Sequence, residues 1–108
     1  MIKFEALNEA VIENFRGGDG ETITRMFATD SIKIMKAVLK KGCSIGRHTH
    51  ETSSEIIYII SGGAKCVIDG KEEFIGAGEC HYCPKGGTHS TANNGEEDLV
   101  MFCVVPEQ

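Results

Sequence analysis

The sequence contains no tryptophan, and aromatic residues make up only 6% of its 108 positions. A surface that stacks successive nucleobases needs a series of aromatic rings, so a broad single-strand platform is not expected. Nor is there a basic stripe. The 11 Lys and Arg residues are scattered, Lys40-Lys41 is the densest pair, and the formal net charge is -5. That distribution argues against phosphate-backbone binding and against a polybasic membrane anchor. Long hydrophobic runs are missing too: Ile56 to Ile60 and Leu99 to Val105 are far too short to cross a bilayer as helices. The opening stretch MIKFEALNEAVIENF carries charges throughout and has no signal-peptide core. A cytoplasmic protein with neither nucleic-acid nor membrane partners is the expectation. The five cysteines, Cys43, Cys66, Cys80, Cys83 and Cys103, are odd in number, and without an export signal they read as reduced thiols rather than a disulfide framework.

Proline is rare, at 2, whereas glycine is abundant, at 13, and punctuates short apolar segments. This is the pattern of an all-β domain. ETITRMFA (residues 21–28), SIKIMKAVL (31–39), SEIIYIIS (54–61) and DLVMFCVV (98–105) read as strands. AKCVID and KEEFI flank Asp69-Gly70, a strong two-residue hairpin signal. ECHYC and THSTA flank a turn at Pro84 to Gly87, and Asn93, Asn94 and Gly95 mark another. About nine or ten short strands predict a sandwich or barrel. One helix is suggested by Phe4, Leu7, Val11 and Phe15, which step by three and four; the same residues also suit an irregular arm. Residues 1–30 are expected to form that arm and the first strands, and 31–108 the barrel, within a single domain.

Polar chemistry concentrates in GCSIGRHTHETSSEIIYIISG (residues 42–62). Residues i and i+2 of a strand share a face, so His48 and His50 can aim two imidazoles into one space. Glu55 follows the polar stretch Glu51 to Ser54, which can bend the chain back, and the turn at Pro84, Gly86 and Gly87 can bring His89 to the same place. Three imidazoles and a carboxylate make a divalent metal shell. On its own, an H-x-H pair is more often incidental, and core histidines are the competing reading.

The glycine spacing adds to this. Gly42, His48, His50, Glu55 and Gly62 match G-x5-H-x-H-x4-E-x6-G, and Gly78, Pro84, Gly86, His89 and Asn93 match G-x5-P-x-G-x2-H-x3-N. Over Gly42 to Asn93 the chain therefore resembles the cupin superfamily, in particular its small single-domain microbial members. The resemblance implies a double-stranded β-helix, that is, a jelly-roll barrel, with His48, His50, Glu55 and His89 holding one divalent transition metal inside it. Mn, Fe, Co, Ni and Zn all accept such nitrogen and oxygen donors. It further implies a small polar or anionic metabolite as substrate and a metal-dependent enzyme of the dioxygenase, decarboxylase, isomerase or lyase class. The alternative is a ligand-binding, sensing or metal-binding module without turnover. Gly62, Gly78 and Asn93 are expected at turns where left-handed geometry is useful.

The remaining signals are weaker. Tyr82 is a candidate proton donor because it lies on the strand entering the second motif. Cys80 and Cys83 read as small buried hydrophobes, His81 as an outer-face or subunit-contact residue, and Arg47 as solvated. Met26, Phe27, Met35, Phe74, Met101 and Phe102 read as core or pocket wall. SEIIYIIS and LVMFCVV are apolar on both faces, which predicts a homodimer packed on the outer sheet.

Overall fold

A computed structural model describes all of residues 1–108. Ten strands form in chain order: β1 (Glu9–Glu13), β2 (Glu21–Ala28), β3 (Ile32–Leu39), β4 (Ser44–Thr49), β5 (Glu55–Ser61), β6 (Gly63–Ile68), β7 (Lys71–Gly76), β8 (Cys80–Cys83), β9 (Thr88–Asn93) and β10 (Leu99–Pro106). They make a six-stranded sheet in the order β1-β2-β3-β10-β5-β8 and a four-stranded sheet in the order β4-β9-β6-β7. Every pairing is antiparallel. This is the all-β jelly-roll barrel that the sequence resemblance implies. No helix is long and apolar enough to cross a membrane.

The two sheets pack face to face through one apolar cluster. Ala37, Leu39, Ile57, Ile59, Leu99, Met101 and Cys103 come from the larger sheet; Ile45, Ala64, Cys66 and Ile75 come from the smaller. Alternation places them there: β5 buries Glu55, Ile57 and Ile59 and exposes Ile56, Tyr58 and Ile60. Each fully buried Leu, Ile or Met side chain contributes about 1.5–3 kcal/mol. Asp69 and Gly70 take φ of 48° and 81° in the β6–β7 hairpin, as a primed two-residue turn requires.

The N-terminal segment is not one helix. A 3-10 turn at Phe4–Ala6 leads into β1, and a second turn spans Phe15–Gly17. The apolar stepping does not mark a shared face. Phe4 packs edge-on against Phe102 on the outside of the larger sheet, ring centroids 6.1 Å apart. Phe15 packs against the inner cluster, and Val11 is exposed. Pairing with β2, from Glu9↔Arg25 to Glu13↔Glu21, satisfies the backbone of this segment as strand instead.

Two side-chain expectations change as well. Met101 is buried, Met35 packs against the core and Met26 lines the interior cavity, but Phe74 (65% exposed), Phe27 and Phe102 lie outside the core and the cavity. Asn93 takes no left-handed backbone. Its side-chain amide donates to the carbonyls of Leu39 and Glu97, and its oxygen accepts from the Gly95 N–H. It ties the end of β9 to β3 and to its own turn.

Candidate metal centre

The four motif residues come from three places in the barrel. His48 lies on β4 and His50 just beyond it, Glu55 opens β5, and His89 lies on β9. Strand parity alone does not put both histidines inside, because Ile45 is also inward and lies three residues before His48. The structure resolves this with a bulge. Ile45 pairs with Thr91 but His48 pairs with His89, so β4 spends one more residue than β9 over that interval. A bulge of this kind re-aims the residues that follow it, and Ile45, His48 and His50 all line the same interior cavity. Beyond the bulge, the His50 N–H donates to the Gly87 carbonyl and the Gly86 N–H to the His50 carbonyl, which fastens the second-motif turn beside the first.

The donor atoms converge. One atom from each of His48, His50, Glu55 and His89 lies within 4.8 Å of all the others. His89 Nε2 stands 3.1 Å from His48 Nε2, 3.0 Å from His50 Nε2 and 3.0 Å from Glu55 Oε1; His50 Nε2 is 3.1 Å from that same oxygen. His89 is 1% exposed and Glu55 7%. The other ring nitrogens point outward to partners. His48 Nδ1 is 2.8 Å from the Gly46 carbonyl oxygen, His50 Nδ1 is 2.9 Å from Ser53 Oγ, and His89 Nδ1 is 2.9 Å from His81 Nε2. Outward anchoring of this sort is how metal-binding imidazoles are held.

A carbonyl oxygen can only accept, so the neutral His48 carries its proton on Nδ1 and turns a bare Nε2 lone pair toward His89. One N–H at the centre cannot serve two facing nitrogens and a carboxylate oxygen together; a cation can. Donors about 2.1 Å from an ion and at right angles to each other stand about 3.0 Å apart, which is the spacing of the contacts around His89. The donor set and its spacing fit a divalent transition ion.

Charge in the site agrees with that chemistry. Burial pushes the His48 pKa down, helped by the neighbouring His89 and His50 and opposed by the Gly46 carbonyl and Glu55. Burial pushes the Glu55 carboxyl up, but the adjoining His50 and His89 imidazoles outweigh it and bring it down to about 2. At neutral pH the site therefore offers a neutral His48 imidazole and an ionised Glu55 carboxylate, the forms that ligate metals.

The cavity above the donors has a volume of about 280 Å³, and Phe15, Met35, Ile57 and Val105 are among its apolar walls. Two cations, Arg16 and Lys33, also line it. Arg16 is held there by a close backbone approach. A Cβ at Gly46 would collide with the Arg16 carbonyl oxygen, and one at Gly18 with the Ser44 carbonyl oxygen. Arg16 itself sits at φ 56°, a conformation that a branchless backbone would adopt more cheaply.

Not every sequence candidate reaches this place. Tyr82 is 57% exposed on the outward face of β8 and does not line the cavity. Cys80, on the same face, is exposed, whereas Cys83 is buried, so the pair stands on opposite sides of one strand and only the second is a core residue. His81 corrects the opposite expectation: it is 1% exposed and faces inward. Arg47 is exposed, as expected. Arg16, Lys33, Ser53 and Glu73 were not legible as site residues. For His81 the deciding fact is the strand register: Glu55 pairs with Cys83, which places His81, two residues earlier, on the inner face.

Known proteins share this fold. The family profile described as a cupin domain matches residues 35–105. An oxalate-binding protein of Thermotoga maritima is 32% identical over 111 aligned residues, covering 97% of this chain and 92% of that protein. The crystal structure of a predicted oxalate decarboxylase from Thermotoga maritima superposes with a TM-score of 0.93 at 28% identity, covering 100% of this chain and 99% of that one. The cupin domain of Schizosaccharomyces pombe Cnp3 superposes with a TM-score of 0.81 over 100% of this chain and 74% of its own at 10% identity, a likeness of fold alone.

Proposed function

This chain belongs to the cupin family, and on that premise we propose that it holds one divalent transition ion on His48, His50, Glu55 and His89 and captures on it a small dicarboxylate of the oxalate type. One observation carries the reading: four converging donor atoms lie under a cavity that is also lined by Arg16 and Lys33. Three neutral imidazoles and one carboxylate leave a divalent ion with net positive charge and open positions for ligand oxygens. When bound, the ion supplies Lewis-acid charge stabilisation for those oxygens. The protein's own groups do the rest. Arg16 and Lys33 place positive charge where the carboxylate oxygens not facing the donors would lie, and a guanidinium is suited to gripping a carboxylate with two parallel hydrogen bonds. Phe15, Met35, Ile57 and Val105 exclude water around the ligand and restrict its size. Similarity to an oxalate-binding protein and to a predicted oxalate decarboxylase of Thermotoga maritima supports an oxalate-like ligand.

Turnover is the second reading, and Lys33 favours it. Decarboxylation leaves a carbanion equivalent that must be protonated, and Lys33 is a cavity-lining group that can donate a proton without giving up a ligand role. Capture without chemistry uses the same ammonium for its charge alone.

Metal content of protein purified without a histidine tag, followed by calorimetry with oxalate, tests the proposal. The expected result is about one ion per chain at neutral pH. Oxalate should bind the Mn-, Fe(II)-, Co-, Ni- or Zn-loaded protein, and binding should weaken sharply in the metal-free protein and with acetate. A chain that takes up no transition ion, or oxalate binding indifferent to the metal, overturns it. Release of formate and carbon dioxide from oxalate separates turnover from capture.

A second copy of the chain is also part of the proposal. Ile56, Tyr58, Ile60 and Tyr82 are exposed together on the outer face of the larger sheet, and an apolar sheet face of this kind requires cover.

A further inference from the structure

We propose that Glu73 and His81 act as a positioning relay that fixes the tautomer of His89 and so presents its Nε2 lone pair to the metal site. The inference rests on the metal reading above but concerns residues outside the donor set. His81 is buried, at 1% exposure, and both its ring nitrogens are engaged. Its Nε2 is 2.9 Å from His89 Nδ1, and its Nδ1 is 2.7 Å from Glu73 Oε1. The two imidazoles lie within 14° of coplanar with centroids 5.2 Å apart. With the nitrogens at 2.9 Å, the rings meet edge to edge rather than face to face, as an N–H···N bond requires. The Glu73 side chain, 42% exposed, reaches this buried ring from β7 while remaining in contact with solvent.

The order of protons along the chain follows from what each group can do. An ionised carboxylate only accepts, so His81 carries its hydrogen on Nδ1. Neutral His81 then has a lone pair at Nε2, which takes the hydrogen on His89 Nδ1. His89 is left with a bare Nε2, the nitrogen that stands about equally far from His48, His50 and Glu55. The reverse order would place a hydrogen on His89 Nε2, in the middle of the donor set. Gly46 performs the same service for His48 with a backbone carbonyl. His89 has no such carbonyl, and a second imidazole backed by a carboxylate takes its place.

A core-filling role for His81 makes different predictions, and Glu73 separates the two because it is half-exposed. Long-range nitrogen–proton NMR on metal-free protein, at mildly alkaline pH where imidazoles are neutral, reads the tautomer directly. The native chain should show His89 protonated at Nδ1. Glu73→Ala should bring in a population protonated at Nε2 and lower zinc affinity, measured against a competing chelator, by roughly 10- to 100-fold. Glu73→Gln, whose amide oxygen still accepts from His81, should restore the native tautomer and most of the affinity. His81→Phe should match or exceed the loss in Glu73→Ala. If His81→Phe does not fold, the two Glu73 variants decide the question alone. A native His89 protonated at Nε2, or a folded Glu73→Ala with native tautomer and native zinc affinity, overturns the relay. If the native chain has the stated tautomer but binds no zinc, the relay stands and the metal reading fails.

Discussion

Glu55 is the only anion among the four donors, and its contribution can be isolated. It is 7% exposed, its Oε1 stands 3.1 Å from His50 Nε2 and 3.0 Å from His89 Nε2, and it supplies the charge that neutral nitrogens lack. Glu55→Gln keeps the volume and one accepting oxygen but removes the charge. The expected outcome is a fall in transition-metal affinity of at least about 100-fold, because carboxylate-to-amide exchange removes a charged bond to a divalent ion. Titration against a competing chelator measures it, with the melting temperature of the metal-free protein as control. His50→Ala should remove metal and any turnover together. A Glu55→Gln protein with native affinity would mean that the carboxylate is not a ligand.

The buried thiols make a second prediction at this scale, and its sign can be worked out. Burial pushes Cys66 up to about 11 and Cys103 well above the ordinary thiol value. The folded chain therefore keeps protons that an unfolded chain releases from about pH 9 upward. Where the unfolded state binds fewer protons, stability falls as pH rises. Stability contributed by these two thiols is complete below about pH 9 and is lost as pH rises, for Cys66 as it passes through about pH 11 and for Cys103 only well above the ordinary thiol range. Urea midpoints across that range should decline, and the decline should be shallower when Cys66 and Cys103 are both replaced by Ala. An equal slope in that variant would remove the thiols from the explanation.

Elements rather than residues decide how the site is assembled, and this scale also separates what the sequence made legible from what it hid. The spacing of His48, His50, Glu55 and His89 was legible because glycines and Pro84 mark the turns between strands, and turn chemistry is local. The bulge in β4 was hidden. It depends on β4 pairing with β9 across more than forty residues, and Gly46 is the one local sign of it between Ile45 and His48. His81 was misplaced for a related reason: its face is set by the Glu55↔Cys83 register, which is a property of two strands. Tyr82 was misplaced by the same parity. The N-terminal segment misled because helical spacing over Phe4 to Phe15 arises from residues that pack on opposite sides of a sheet. Arg16 was invisible because the contact between the Phe15–Gly17 turn and β4 is a backbone approach permitted by two glycines. That contact is testable. Gly46→Ala puts a methyl group against the Arg16 carbonyl, so the turn must move while the sheets stay paired. The expected result is a folded protein with near-native metal affinity but oxalate affinity lowered about 10-fold, the scale of one weakened charged hydrogen bond. Arg16→Ala should give a similar loss. Native oxalate affinity in both would remove the turn from the binding site.

For the whole molecule, the two faces of the larger sheet pose different demands. The inner face is closed by the smaller sheet. On the outer face, Phe4 covers Phe102, but Ile56 (39% exposed), Tyr58 (41%), Ile60 (46%) and Tyr82 (57%) remain open. Cross-strand register makes them one patch rather than scattered residues: Ile56 lies opposite Tyr82 and Val104, and Tyr58 opposite Phe102 and Cys80. Polar cover is sparse there, and β8 is an edge strand whose free side can also be shielded by a neighbour. A two-fold dimer brings the same patch against itself, so a charge placed in it meets its own copy. Sedimentation should find the native chain dimeric at micromolar concentration. Ile56→Glu should shift it to monomer, since facing like charges in an interface cost several kcal/mol. The donor atoms lie on the opposite side of β5, so metal uptake by the monomeric variant should be retained. A native chain that sediments as a monomer would leave the patch without a second copy as its cover, and an Ile56→Glu chain that stays dimeric would move the interface elsewhere.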